Sequence, residues 1–152
     1  MPNCTNTSRR SFLQASLAAG IAAPYVVPAS VLGADDQPPP SERISLGIIG
    51  CGGMGRGNLN ACAQHPDVVV TAVCDPWKER CDQVVEQFKG TAQGHRDFRE
   101  LLDRKDVDAV IIAPPPHWHA LMAVQAVEAG KDIYLQKPMT LYPDETLAVR
   151  NA

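Results

Sequence analysis

The feature that most constrains this fold is a glycine-rich turn between two apolar segments. Ile44–Ile49 is a short, β-branched apolar run, which indicates a buried strand. Gly50, Gly52 and Gly55 follow it directly in the spacing G-x-G-x-x-G. A helix-like apolar pattern then continues until Pro66 stops it. A strand, a glycine turn and a helix in immediate succession predict the first half of a βαβ unit.

The rest of the chain continues to alternate between strand and helix patterns. Further strands are predicted at Val68–Cys74, Asp108–Ala113 and Ile133–Leu135. Helices are predicted from Trp77 to Phe88, after the Asp97-x-x-Glu100 capping box, over His117–Ala129, and from Pro143 onward. This alternation predicts an α/β protein with a Rossmann-like, doubly wound parallel sheet.

The glycine turn has the chemistry of a phosphate-binding site. The first glycine permits a tight turn, the second lets the backbone approach a pyrophosphate, and the third lets the helix pack on the strand. Backbone N–H groups at the helix start favour a negative ligand. A glycine-rich bend without a ligand is the alternative. The candidate cofactor-binding residues of the turn are Gly50, Cys51, Gly52, Gly53, Met54 and Gly55.

An acidic residue ends the second predicted strand. Asp75 stands 20 residues after the last glycine, where a carboxylate can accept hydrogen bonds from the adenosine ribose. It would repel a 2′-phosphate, so NAD is predicted in preference to NADP. NADP stays possible because Arg56, Lys78 and Arg80 are close in sequence. The alternative role for Asp75 is to cap the helix that follows Pro76.

Two later loops are predicted at the same edge of the sheet, because ligands bind outside the carboxyl ends of parallel strands. Pro114 and Pro115 open a stiff loop that ends at His119. Lys137 follows the last strand, where Pro138 favours an extended or turn conformation. Pro114, Pro115, His119 and Lys137 are candidate cofactor contacts. His119 as a capping or packing residue, and Lys137 as a solvated loop residue, are the alternatives.

Composition excludes some classes of partner and site. The chain is 45% hydrophobic and 20% charged, as in an ordinary soluble domain. Without Arg9 and Arg10, 12 basic residues face 17 acidic ones, for a net charge of −5 and no footprint for nucleic acid. No C-x-x-C pair occurs, and no metal site is predicted. Four cysteines at apolar positions are expected to be small buried hydrophobes, namely Cys51, Cys62, Cys74 and Cys81.

Residues 1–34 have the three-part order of a signal peptide, and residues 35–43 form a proline-rich linker. A polar, positively charged start precedes the apolar stretch Phe12–Val27, and small residues follow. Gly20 and Pro24 interrupt the stretch, which is too short for a stable membrane span.

The start of this leader resembles the twin-arginine export motif. The residues are Ser8-Arg9-Arg10-Ser11-Phe12-Leu13-Gln14. A chance arginine pair before an amphipathic helix is the alternative. The motif predicts recognition by the twin-arginine export machinery and a periplasmic or otherwise exported protein, folded and loaded with its dinucleotide before export.

Three separated motifs together resemble the Gfo/Idh/MocA family (glucose–fructose oxidoreductase, inositol dehydrogenase and rhizopine catabolism). They are IIGCGGMG at 48–55, APPPHWH at 113–119 and GKDIYLQKP at 130–138. The resemblance covers residues 44–150. It implies that Lys137 lies beside the nicotinamide and takes part in catalysis, and that His119 lines the cofactor pocket. Pro114 departs from the family's usual Thr, Pro116 from Asn or Asp, and Gln136 from Glu.

The resemblance also implies the reaction: hydride transfer between the nicotinamide ring and a sugar or cyclitol, in a homo-oligomeric parent enzyme. A second, α+β substrate domain would supply most of the substrate pocket. We expect residues 44–152 to be a dinucleotide-binding domain that is incomplete at its C-terminus, truncated before that domain and inactive alone. A NAD-dependent glycosidase and a non-catalytic dinucleotide-binding fragment are the alternative functions.

Overall fold

Five short strands pair in parallel to form one sheet in the computed structural model, which describes residues 38–152. The strands are Ile44–Ile49 (β1), Val68–Cys74 (β2), Gln93–His95 (β3), Ala109–Ile112 (β4) and Asp132–Leu135 (β5). Their order is β3-β2-β1-β4-β5, and every pairing is parallel. This is the order of the first five strands of the doubly wound Rossmann sheet, so the predicted fold class is confirmed.

Helices lie on both faces of this sheet. They are Gly53–Cys62 (α1), Lys78–Gln87 (α2), Phe98–Leu102 (α3), His119–Glu128 (α4) and Pro143–Asn151 (α5). Two short 3₁₀ turns, Pro40–Glu42 and Pro116–Trp118, complete the regular structure. No helix within residues 38–152 combines the length and apolarity needed to cross a membrane. The predicted leader and residues 35–37 of the predicted linker lie outside the described residues.

The two faces of the sheet bury two separate apolar clusters. Ile48 and Ile49 are neighbours in β1, and strand geometry sends them to opposite faces. Ile48 packs in one cluster with Leu59 of α1 and Val84 of α2. Ile49 packs in the other cluster, which includes Met122 of α4. Each fully buried aliphatic side chain contributes about 1.5–3 kcal/mol, so both helical layers stabilise the sheet.

Strand β3 is absent from the sequence prediction. Its three residues are Gln93, Gly94 and His95, which show no apolar run. The segment is a strand because it pairs with the open edge of β2. A Cβ at Gly94 would lie 3.0 Å from the Cys81 sulfur, so glycine allows β3 to approach α2 closely. Neither the pairing with β2 nor the close approach at Gly94 produces a periodic hydrophobic pattern in the sequence.

One helix start and one capping box differ from their predictions. Helix α4 begins at His119 rather than His117, because the preceding residues form the 3₁₀ turn Pro116–Trp118. At α3, the Asp97 side chain accepts a hydrogen bond from the backbone of Arg99 at 3.0 Å, as predicted for a cap. Glu100 does not complete the capping box and instead faces Nδ1 of His95 at 3.4 Å. The capping box is therefore only half formed.

The cysteine prediction is confirmed for three of the four residues in the described chain. Cys51, Cys74 and Cys81 are buried, Cys62 is partly exposed, and none of the four is disulfide-bonded. Burial raises the pKa of Cys51 to about 12, and the negative charge of Asp75 acts in the same direction. Burial also raises the pKa of Cys74 to about 12. These thiols therefore act as packing groups.

Alkylation of the folded protein should be confined to one of these cysteines. At about pH 8, iodoacetamide is expected to modify Cys62 first, because Cys51, Cys74 and Cys81 are buried and burial raises the pKa of each of these three thiols, which lowers the fraction present as reactive thiolate. Peptide mapping by mass spectrometry measures the order, and the denatured protein provides the control, in which all four react alike. Equal rates in the folded protein would contradict the packing described.

Candidate functional site

A cavity of about 740 Å³ lies at the carboxyl edge of the sheet. Its size falls within the range of small-molecule and cofactor sites. It brings together nine of the eleven predicted site residues, which are Gly50, Gly52, Gly53, Met54, Asp75, Pro114, Pro115, His119 and Lys137. Cys51 borders a smaller adjoining cavity, and Gly55 packs beneath the turn.

The three glycines of the turn have different surroundings. Gly50 has a φ of +95°, and a Cβ there would lie 2.6 Å from the carbonyl carbon of Ala113. A Cβ at Gly55 would overlap the carbonyl oxygen of Gly50. Gly52 has no neighbour within 4 Å of such an atom. Gly50 and Gly55 therefore allow the turn to close tightly, while Gly52 leaves open space above the turn.

The first turn of α1 presents backbone donors to this open space. The helix begins at Gly53 after Gly52, and no side chain caps its N-terminus. Gly52, Gly53 and Met54 all line the cavity. The first N–H groups of a helix lack intrahelical partners, and the helix dipole adds positive potential there. The arrangement suits a pyrophosphate, with no acidic side chain in the first turn to repel it.

Asp75 is buried and holds two loops together. One carboxylate oxygen accepts a hydrogen bond from the backbone N–H of Cys51, and the other accepts one from Trp77, each at 2.8 Å. The alternative role as a helix cap is wrong, because α2 begins at Lys78 with Trp77 as its cap residue. Each carboxylate oxygen retains a lone pair for a ribose hydroxyl. Asp75 can therefore shape the turn and bind a ligand at once.

The side of the cavity near β2 and β3 carries residues that the sequence analysis did not select as site residues. Trp77 was placed on the apolar face of its helix, yet the side chain is exposed, and the guanidinium of Arg80 lies 4.3 Å from the centre of its ring. Arg96 and Arg99 line the same side. An aromatic ring with three cations nearby fits a base and a phosphate-bearing ribose. Only spatial proximity reveals this group.

His119 joins the two loops on the other side of the cavity. The side chain is almost fully buried, and its Nδ1 lies 2.7 Å from the carbonyl oxygen of Pro138. Its Nε2 lies 2.9 Å from the carbonyl oxygen of Pro114. Each nitrogen donates to the carbonyl that it faces only where it carries a hydrogen, so a neutral ring makes one of these two hydrogen bonds and contacts the other carbonyl. His119 therefore fixes the separation of the loops that follow β4 and β5, beyond the packing role that was the alternative.

Lys137 extends from this framework with a free ammonium group. The residue is exposed, lines the cavity and has no side-chain hydrogen bond or ion pair within residues 38–152. Its backbone N–H donates to Oε1 of Gln136 at 2.9 Å, and the Lys137–Pro138 peptide bond is cis. The cavity thus contains one flexible cation at the end of β5. Among residues 38–152, no cluster of His, Cys, Asp or Glu has the arrangement of a metal site.

Comparison with known proteins identifies the family. The profile of the Gfo/Idh/MocA oxidoreductase family, NAD-binding Rossmann fold, matches residues 44–152. This chain belongs to that family. The match covers the whole sheet and every residue of the cavity described above. The chain therefore contains an NAD-binding Rossmann domain.

Curated relatives in this family include named glycosidases. The chain is 31% identical over 118 residues to a glycosyl hydrolase family 109 protein of Shewanella pealeana. It is 33% identical over 115 residues to an alpha-N-acetylgalactosaminidase of Shewanella oneidensis. Each match covers 70% of this chain and 25% of the relative. The chain thus corresponds to about a quarter of the length of these proteins.

Solved structures with the same fold contain nicotinamide cofactors. The WlbA dehydrogenase of Chromobacterium violaceum, in complex with NADH and UDP-GlcNAcA, has a TM-score of 0.68 at 25% identity. KijD10, a 3-ketoreductase of Actinomadura kijaniata in complex with NADP and TDP-benzene, has a TM-score of 0.64 at 30% identity. The matches cover 72% of this chain and 32% and 33% of those chains.

Two glycines of α1 offer a matched test of the turn. Gly55→Ala should lower the free energy of unfolding by about 2–3 kcal/mol and abolish dinucleotide binding, because the new Cβ overlaps the Gly50 carbonyl. Gly57→Ala should leave binding intact and stabilise the helix by up to about 1 kcal/mol, because it has free space around it. Denaturant unfolding and calorimetry measure both effects. Equal behaviour of the two variants would contradict the tight packing at Gly55.

Proposed function

We propose that this chain is the dinucleotide-binding part of an exported oxidoreductase that transfers hydride between a nicotinamide cofactor and a sugar or cyclitol. The observation that carries the proposal is the single cavity shared by the glycine turn and Lys137. A phosphate-binding helix start and a free ammonium group at opposite sides of one cavity can hold a dinucleotide and act on a substrate beside it.

The proposed position of the cofactor follows from the residues that line the cavity on the two sides of β1. The pyrophosphate would lie at the start of α1, with the adenosine near Asp75 and Trp77. The nicotinamide would then lie beyond β1, between the loops that end at His119 and Lys137, because a dinucleotide crosses the crevice where strand order reverses. Asp75 favours NAD. Arg80 and its neighbouring arginines leave NADP as a possible second cofactor.

The bound nicotinamide would accept or supply the hydride. The residues of this chain would position the ring and a substrate hydroxyl. Lys137 can donate a hydrogen bond to that hydroxyl, orient its carbon toward the ring and stabilise the oxygen as its proton leaves. His119 would keep this lysine's loop at a fixed distance from Pro114. Pro114 supplies rigid backbone to the opposite wall without a side-chain donor.

The substrate class is proposed from the relatives and neighbours. The solved neighbours contain UDP-GlcNAcA or TDP-benzene together with a nicotinamide cofactor. A sugar or cyclitol with an exposed hydroxyl fits a cavity that offers a lysine beside a nicotinamide. Most of the substrate pocket and the base that takes the proton would come from the part of the parent protein that this chain does not represent. We also propose that the parent is a homo-oligomer.

A NAD-dependent glycosidase is the second candidate, because curated relatives carry glycosidase names. In that reaction a transient oxidation would assist cleavage, and the cofactor would be restored. The complete protein should be incubated with NAD and with sugars and aryl glycosides. Net formation of NADH identifies the dehydrogenase, and sugar release without net NADH identifies the glycosidase. Tight binding without either product would indicate a non-catalytic dinucleotide-binding protein.

Substitution of the lysine separates catalysis from cofactor binding. Lys137→Met in the complete protein should lower kcat by on the order of a hundredfold or more, because it removes a donor at the reacting oxygen. The Kd for NADH should change less than about threefold, since the pyrophosphate site is untouched. The control is Lys105→Met, an exposed lysine outside the cavity. Wild-type kcat in Lys137→Met would exclude the proposed role.

We propose that residues 1–34 direct export by the twin-arginine route. The support is the arginine pair in the Ser8–Gln14 motif and the apolar stretch that follows it. This route transports folded proteins, so the cofactor would be bound before export.

Export can be tested by cell fractionation. Replacing Arg9 and Arg10 with lysine should retain the full-length protein in the cytoplasm, because the machinery reads the paired guanidinium groups. The wild type should appear in the periplasm in a shorter form that carries stoichiometric dinucleotide. Unchanged processing of the double-lysine variant, with the same periplasmic yield, would refute the twin-arginine assignment.

A further inference from the structure

The charges that line the cavity are distributed unevenly across the sheet. Among the lining residues, the carboxylates are Asp75, which follows β2, and Asp97, which follows β3. On the other side of β1, the only charged side chain is Lys137. Neighbouring strands are about 4.8 Å apart, so β2 and β5 are about 14 Å apart. No carboxylate of the described lining residues is therefore close to Lys137.

Gln136 precedes Lys137 at the position where the family resemblance implies a glutamate. Its side chain is buried, and its Oε1 accepts the backbone N–H of Lys137 at 2.9 Å. Only the oxygen of an amide can accept a hydrogen bond, and this identifies the second terminal atom of the Gln136 side chain as the nitrogen Nε2. Nε2 is buried and has no partner within residues 38–152. The neighbour of Lys137 is therefore electrically neutral and retains an unused hydrogen-bond donor.

Among the described lining residues on this side, the remaining titratable group is His119, which does not supply a negative charge. His119 has both ring nitrogens within hydrogen-bond distance of carbonyl oxygens. Its ring is neutral or positively charged in that setting. A ligand that enters between the β4 and β5 loops thus meets a positive charge from Lys137, a neutral amide from Gln136 and no carboxylate among the described residues that line this side of the cavity.

We propose that this side of the cavity binds the reduced nicotinamide more tightly than the oxidised one, and that the neutrality of Gln136 sets this preference. The inference rests on the proposed function, which places the nicotinamide between these two loops. The oxidised ring carries a positive charge, and the reduced ring carries none. Repulsion by Lys137 therefore penalises the oxidised cofactor alone.

The unused Nε2 donor has a separate consequence. A buried donor without a partner carries a desolvation cost, which a ligand oxygen can remove. The nicotinamide riboside offers such oxygens in its carboxamide and its ribose in both redox states. The donor therefore strengthens binding of both forms alike, whereas the missing carboxylate distinguishes them.

Calorimetry on the complete protein tests both statements. The wild type should bind NADH on the order of tenfold more tightly than NAD⁺. Gln136→Glu should reduce that ratio by about fivefold or more, because the new carboxylate attracts the oxidised ring. Gln136→Met should weaken both cofactors by a similar factor and leave the ratio unchanged. Gln87→Glu, on the exposed face of α2, controls for the change in net charge.

Lys137→Met provides a second test that does not depend on the fold tolerating a buried glutamate. It removes the repelling charge, so the preference for NADH should fall by a similar factor. An unchanged ratio in both Gln136→Glu and Lys137→Met, or the same change in Gln136→Met as in Gln136→Glu, would overturn the inference. Failure of the wild type to bind either nucleotide would refute the proposed function itself.

Discussion

The packing of Gly55 against the carbonyl oxygen of Gly50 is the contact on which the rest of the structure depends. It holds the first turn of α1 directly over the end of β1, at the point where the strand order reverses. The helix start then opens its unpaired backbone donors into the cavity. Any side chain at Gly55 would push the helix away and remove the phosphate-binding geometry. The cavity, the cofactor and the proposed chemistry all require this contact.

Two buried polar side chains then fix the loops around the turn. Asp75 holds the glycine turn beside the loop after β2, and His119 holds the loops after β4 and β5 together. Each of these side chains contacts two backbone partners, so the loops that it joins hold their positions without a ligand. Ligand binding to such a framework costs less ordering entropy than binding to mobile loops. Lys137 is the exception, since its ammonium remains free to follow a substrate.

The sequence predicted the elements that carry strong local signals. The glycine spacing, the apolar strands and the proline-stiffened loop predicted a site at the carboxyl edge of the sheet and nine of the residues that line the cavity. Strand β3 escaped prediction because pairing with the edge of β2, and not burial, makes it a strand. The exposure of Trp77 and the link made by His119 also escaped, because both result from contacts between distant segments. Local pattern identifies donors and turns, whereas tertiary structure decides which of them meet.

A crystal structure of the complete protein with bound NADH would test the central claim most directly. The account predicts pyrophosphate oxygens within about 3 Å of backbone nitrogens at the start of α1, and the nicotinamide between the β4 and β5 loops. A dinucleotide bound elsewhere, or a pyrophosphate that makes no contact with the turn from Gly50 to Gly55, would contradict it.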